Sequence, residues 1–374
     1  MKKIWIPIIV VIIIVVAIAA FYKPASKEAI KIGAILPLTG QIAVYGESIR
    51  AGVDLAVQEI NNAKRVNNRK LEIVYEDNQG DTQMAVTAYQ KLKQINGIDL
   101  YLSVPSPATL AIAPLAETAK SLIFDIGGGA PQISSAGDYI FRNNLLPATE
   151  SKFLAEFLTE KMKFSHIALL VVNTDSGIGY RDEFIKNFEK LGGTITLTEL
   201  YERGSSDFKS SLVKIKSEKN VDALLGISYV QEYAGILKQK KELGIDLPIF
   251  GVYTAESPQL IQVAGSVADG LIFTSAFDPD SNNEMLQEFQ KKFNEKYGKK
   301  ADYFAALGYD TVKIYIEAMR GCINITSSCL KDSLYKIKDF PGVTGKTSID
   351  VNGDTNKPVI IKIVKNGQFV PYEE

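Results

Sequence analysis

The 374-residue sequence predicts an α/β protein made of two doubly wound, parallel-sheet lobes. Three observations carry that expectation. Short, near-continuous apolar runs alternate with longer segments whose apolar residues recur at helical spacing, as both-faces-buried strands and their crossover helices do. The alternation runs through one series, passes the helical stretch "FLAEFLTEKM", and then restarts. The length also suits two units better than one, each large enough to bury a real core.

In the first series, Ile30–Leu36, Leu71–Tyr75, Ile98–Leu102 and Ser121–Phe124 read as strands. "SIRAGVDLAVQEINNA" and "TQMAVTAYQKLKQI" read as the helices between them. The second series offers strands at Ile167–Val172, Ile195–Leu200, Ala223–Ile227, Pro248–Gly251 and Leu271–Ala276. Two helices follow, "NNEMLQEFQKKFNEKYG" and "YFAALGYDTVKIYIEAMRG". The tail reads as two strands with glycine turns at Asn352-Gly353-Asp354 and Asn366-Gly367.

Charged residues make up 23% of the chain and the net charge is -1, so no global field draws it to nucleic acid or to a membrane surface. The N-terminus differs from the rest: Lys2 and Lys3 precede an uncharged apolar stretch from Ile4 to Phe21, and Lys23 follows. That pattern predicts export through a signal peptide or a retained membrane anchor. No cysteine lies near its end, which removes a bacterial lipoprotein site. The two cysteines, Cys322 and Cys329, are close enough in "GCINITSSCLKD" to predict a local disulfide in an exported chain. Asn324 between them opens an N-glycosylation sequon. A metal site would need more ligands than these, and the single histidine, His166, is remote in sequence.

Open parallel sheets bind ligands just beyond the carboxyl ends of their strands. That rule selects Leu38–Tyr45, Asp77, Ser103–Thr109 and Asp125–Gly129 in the first lobe. In the second it selects Asn173–Tyr180, Ser228–Tyr229 and Val252–Glu256. Ser106-Pro107-Ala108 reads as an N-cap with proline at the first helical position, so a helix start with free N–H groups would face an anion there. Gly127-Gly128-Gly129 permits close backbone approach but lacks the dinucleotide spacing, and no Gly-Lys-Ser/Thr phosphate loop occurs. No nucleophile, base and orienting acid are placed together, and the sequence therefore predicts a binding protein without cofactor rather than an enzyme.

"IKIGAILPLTGQIAVYGESIRAGVDLAVQEIN", "YEDNQGD", "ATLAIAPLAE", "FAALGYDTVKIYIEAM" and "GVTGKTSIDVNGD" together resemble the leucine/isoleucine/valine-binding proteins of ABC transporters, which have the type I periplasmic-binding-protein fold. The resemblance runs from about Ile30 to the C-terminus. It implies two lobes joined by a hinge of three crossings, with residues 30–146 and 277–339 in lobe 1 and 147–276 and 340–374 in lobe 2. Residues 1–29 would be the signal or anchor with its linker. It also implies a small polar metabolite held between the lobes, an amino acid of the branched-chain type before any other, with a membrane permease as partner and a monomeric state.

Carried over residue by residue, the resemblance places the ligand carboxylate on Ser106, with Pro107 and Ala108 beside it, an aromatic wall at Tyr45, and a second-lobe tyrosine at Tyr229. The carbonyl of Gly127 would accept from a ligand ammonium. Three positions depart from the family. Gly129 stands where the family has threonine, Ile178 falls where it has a tyrosine (with Tyr180 two residues on), and Tyr253 replaces the acid that pairs with the ammonium. A buried ammonium needs an anionic partner. The sequence therefore implies either that Asp125 or Glu256 substitutes, or that the ligand is an amide, short-chain acid or aromatic acid. A receptor on this fold would carry a further transmembrane or signalling segment after "PYEE", and transport is the expectation over sensing.

Overall fold

The computed structural model describes residues 28–373 apart from 64, 65, 67 and 68. The apolar segment Ile4–Phe21, read as a signal or anchor, lies outside the described residues. No helix among the described residues is long and apolar enough to cross a membrane.

The first sheet holds β1 (Ile30–Leu36), β2 (Leu71–Asp77), β3 (Leu100–Ser103), β4 (Leu122–Ile126) and β5 (Ile140–Asn143), all parallel, in the order β2-β1-β3-β4-β5. Its crossovers include α1 (Ala43–Asn62), α2 (Thr82–Gln94) and α3 (Ser106–Ala119). β3, β4 and β5 are buried along their whole length, which is why their sequences show no polar alternation.

Helix α4 (Pro147–Glu156) carries the chain into the second sheet. There β6 (His166–Val172), β7 (Thr194–Tyr201), β8 (Ala223–Ile227), β9 (Ile249–Gly251) and β10 (Ile272–Ser275) run parallel. The helices between them are α5 (Asp175–Lys190), α6 (Lys209–Ser217), α7 (Val230–Glu242) and α8 (Pro258–Ala264). The chain then returns to the first lobe through α9 (Glu284–Tyr297), α10 (Tyr303–Arg320) and α11 (Ser327–Leu334). A small antiparallel sheet follows, β11 (Phe340–Gly342), β12 (Gly345–Ile349) and β13 (Thr355–Asn356). The hairpin β14 (Ile360–Lys365) and β15 (Gln368–Pro371) finally completes the second sheet, in the order β15-β14-β10-β9-β8-β6-β7. Its turn is Asn366-Gly367, both at positive φ, as the sequence predicts.

Two features differ from the sequence reading. β5 was not foreseen: it is four residues long and contains Arg142, whose charge is neutralised by Asp354, 2.7 Å away and 212 positions on. The second difference is in the tail, where the sequence predicts two strands and the structure has five short ones, β11 to β15. β11 to β13 pair with one another, and Asp310 of α10 accepts from the N–H groups of Val343 and Thr344 at 2.9 and 2.8 Å.

Helices α1 and α10 pack at backbone contact. A Cβ on Gly52 would lie 1.8 Å from the carbonyl oxygen of Ala305, and one on Gly308 would lie 2.4 Å from that of Ile49. No rotamer can relieve a clash with backbone, so Gly52→Ala is expected to cost about 3 kcal/mol. Urea unfolding checks this, and a cost under about 1 kcal/mol would show that the helices separate easily. Cys322 and Cys329 form a disulfide, and the intervening Asn324 is exposed.

Candidate functional site

The two sheets reverse their strand order beside β1 and β6, and the loops leaving their carboxyl ends face each other. A cavity of about 50 Å³ lies between them. Its first-lobe wall is Ile42, Tyr45, Val104 to Ser106, Gly127 to Gly129 and Phe304. Its second-lobe wall includes Val172, Ser176, Tyr180, Ile227 to Tyr229 and Val252 to Thr254. A larger groove of about 920 Å³ runs along α9 to α11, away from the strand ends. Its Glu59 is already paired with Lys292 and Lys313, so it offers no comparable convergence of groups.

Four hydrogen bonds join the lobes across this cavity. The Tyr45 hydroxyl donates to the carbonyl of Thr254 and accepts from the N–H of Val230, both at 3.0 Å. The Tyr253 hydroxyl donates to the carbonyl of Gly127 at 3.0 Å. Ser176 Oγ donates to Ser106 Oγ at 3.2 Å. Burial pushes the pKa of Tyr45 and Tyr253 above the ordinary tyrosine value, so both hydroxyls stay protonated and able to donate. The Tyr45 ring packs on Phe304 at 4.6 Å and on Tyr229 at 6.0 Å, giving an aromatic wall that spans both lobes.

Of the sequence-predicted residues, Tyr45, Ser106, Gly127, Gly129, Tyr180, Tyr229 and Tyr253 line the cavity. Ser106 is not the cap of its helix. Pro105 occupies the N-cap, and Ser106 Oγ accepts instead from the N–H of Ala130 at 3.1 Å while facing the cleft. Pro107 and Ala108 are not in the wall, and Ala108 is wholly buried in the core below it. Ile178 faces a neighbouring surface hollow with Pro131 and Gln132.

Neither proposed substitute carboxylate reaches the cavity. Asp125 is fully buried and turned inward, with one oxygen accepting from the N–H of Gly128 at 2.6 Å and the other from the Thr109 hydroxyl at 2.5 Å. Burial pushes its pKa up to about 6 against the opposing effect of those bonds. Glu256 pairs at 2.6 Å with Lys362 and also accepts from Ser275. Both acids are engaged inside the fold, Asp125 by Gly128 and Thr109, Glu256 by Lys362 and Ser275.

Sequence reasoning held Ile42, Ser176 and Thr254 only as members of strand-end ranges, and passed over Phe304 and also Glu150 just behind the wall. Glu150 is fully buried, and its Oε1 accepts from the N–H of Tyr253 at 3.1 Å and from the Thr274 hydroxyl. Its Oε2 has no hydrogen-bond partner among the described residues. Ser176 and Thr254 fall inside the strand-end ranges, so the signal for them was present. Phe304 comes from a helix remote in sequence, and no strand-end rule points to it.

The family model for periplasmic binding proteins matches residues 29–368. The chain belongs to the periplasmic binding protein family. Among curated relatives of this binding protein, it is 28% identical over 363 residues to the leucine-, isoleucine-, valine-, threonine- and alanine-binding protein of Pseudomonas aeruginosa, covering 96% of this chain and 93% of that one. A leucine-binding protein, LivK, of Thermotoga maritima superposes with a TM-score of 0.87 at 27% identity, over 92% of this chain and 98% of that one. The branched-chain amino-acid transporter substrate-binding protein LivJ of Streptococcus pneumoniae, solved with isoleucine, superposes with a TM-score of 0.85 at 29% identity, over 91% and 97% of the two chains. The resemblance read from the sequence therefore holds for family and fold.

Proposed function

We propose that this binding protein is the extracytoplasmic solute-binding component of an ABC importer. It captures a small metabolite with a carboxylate head and an apolar body between its lobes, and hands it to a membrane permease. The named relatives point to amino acids of the branched-chain type. The observation that carries the reading is the meeting of Ser106 and Ser176 across the cleft. Each stands in the first turn of a long helix, α3 or α5, where backbone N–H groups and the dipole favour an anion. A carboxylate bound there touches both lobes at once and so favours the closed form over the open one. Tyr45, Tyr229 and Phe304 supply the apolar wall.

On this reading the N-terminal segment Ile4–Phe21 exports the chain or anchors it, the carrier works as a monomer, and Asn324 is available for glycosylation. Micromolar affinity, about -8 kcal/mol, would allow both capture and release. The test is a thermal-shift and calorimetric screen of the full-length chain against branched-chain amino acids, small organic acids and their amides. A ligand specific to the folded state raises the melting temperature with concentration. Ser106→Ala with Tyr229→Ala is expected to weaken the best ligand at least about 10-fold through the lost charge-assisted bond and ring contact. An unchanged affinity would sink the site assignment.

A further inference from the structure

The group that would receive a ligand amine in this cleft is already engaged. Tyr253 Oη donates to the carbonyl of Gly127 at 3.0 Å, and that carbonyl is the acceptor which the family resemblance assigns to a ligand ammonium. Gly129 makes the contact possible. A Cβ at this position would come within 2.9 Å of Tyr253 Oη, closer than real side-chain contacts allow. The two departures from the family, glycine at 129 and tyrosine at 253, thus answer each other: one vacates the space into which the other reaches.

No charge replaces what was lost. None of the described residues lining the cavity is aspartate, glutamate, lysine or arginine. Asp125 has both oxygens engaged by Gly128 and Thr109, and Glu256 is engaged by Lys362 and Ser275. Glu150 lies behind Tyr253, and burial pushes its pKa up to about 8, so it is mainly uncharged at neutral pH. Glu232, buried behind Tyr45 and Tyr229, does not line the cavity and accepts from the N–H of Gly204 at 2.8 Å. An ammonium brought into this cleft would therefore lose its water, share the Gly127 carbonyl with the Tyr253 hydroxyl, and meet no anion among the described lining residues. The carboxylate end is served differently, by two serine hydroxyls and two helix N-termini.

We propose that the cleft takes a monocarboxylate with an apolar body and no α-ammonium group, Tyr253 and Gly129 together excluding the amine. This rests on the solute-binding reading above, keeps its carboxylate head and apolar body, and sets this cleft apart from the amino-acid sites to which the relatives point.

Matched pairs that differ in the amine alone test it by calorimetry on the full-length chain: leucine with 4-methylpentanoate, isoleucine with 3-methylpentanoate, and phenylalanine with 3-phenylpropanoate. In at least one pair the acid is expected to bind about 100-fold more tightly than its amino acid, because a buried cation is left unpaired. An amino acid that binds as tightly as its acid overturns the inference and leaves the solute-binding reading standing. Binding of no carboxylate in any pair overturns both. Tyr253→Phe keeps the ring, frees the Gly127 carbonyl, and is expected to shift the amino-acid-to-acid affinity ratio at least about 10-fold toward the amino acid. An unchanged ratio overturns the role given to the hydroxyl. Glu150→Gln is expected to leave the ratio of the unmodified protein in place, and an amino-acid affinity that vanishes in this variant would identify Glu150 as the amine partner and overturn the proposal.

Discussion

Replacing Lys362 with methionine is expected to destabilise the protein by about 3–5 kcal/mol. Lys362 lies on β14 with no solvent exposure, and its Nζ donates to Glu256 at 2.6 Å and to the carbonyl of Phe277 at 3.1 Å. Methionine matches the aliphatic stem but leaves the carboxylate of Glu256 in the interior, where only the Ser275 hydroxyl remains to solvate it. The loss should shrink at acid pH, because Glu256 can then fold as the neutral acid. Adding Glu256→Leu to the variant is expected to restore most of the stability, since a buried ion pair exchanged for packed apolar groups is often neutral. Urea unfolding of the two single variants and the double variant closes the cycle. A single-variant loss below about 1 kcal/mol would mean that water reaches the pair and that it is not structural.

Glu150→Gln is expected to act in the opposite direction, with an effect that depends on pH. In the folded chain burial pushes the Glu150 pKa up to about 8, well above the ordinary glutamate value of 4.5. The folded state therefore holds this proton more tightly than the unfolded state. Its contribution to stability is fully present below about pH 4.5 and is lost as pH rises through about 8. Glutamine keeps an oxygen for the N–H of Tyr253 and the Thr274 hydroxyl but cannot ionise. The variant should thus match the unmodified protein near pH 5 and be roughly 3–5 kcal/mol more stable near pH 9. Unfolding midpoints measured at pH 5, 7 and 9 decide the matter. A stability difference that stays flat with pH would show that Glu150 remains ionised in the fold.

What could be read in advance divides along a physical line. Strand-end position was enough to place Ser106, Tyr45, Tyr229 and Tyr253 inside candidate ranges, and the helix-start argument for Ser106 and the family resemblance for the tyrosines singled them out there. The direction in which a side chain points was not legible. Asp125 ends a strand beside the cleft and still turns back to hold Gly128 and Thr109. Its chemistry in the sequence is the same as that of an acid facing a ligand. Glu256 was misread for a related reason: its partner, Lys362, is 106 positions away, and no local pattern announces the pair. Glu150 was passed over altogether, because a glutamate in the first turn of α4 ordinarily complements the helix dipole in solvent. Its burial arises from β10 and the loop after β9, which the chain supplies more than a hundred residues later.

The order in which the second sheet is supplied has a consequence for how the chain is made. β10 ends at Ser275, but its neighbour β14 begins only at Ile360, after the first lobe has received its last helices. As the chain emerges from its N-terminus, β10 therefore waits as an open sheet edge, and Glu256 waits without the lysine that will pair with it. Open edges are where strands of different molecules join. Until β14 is made, that edge is open to pairing with another chain, and Ile360–Lys365 then covers it.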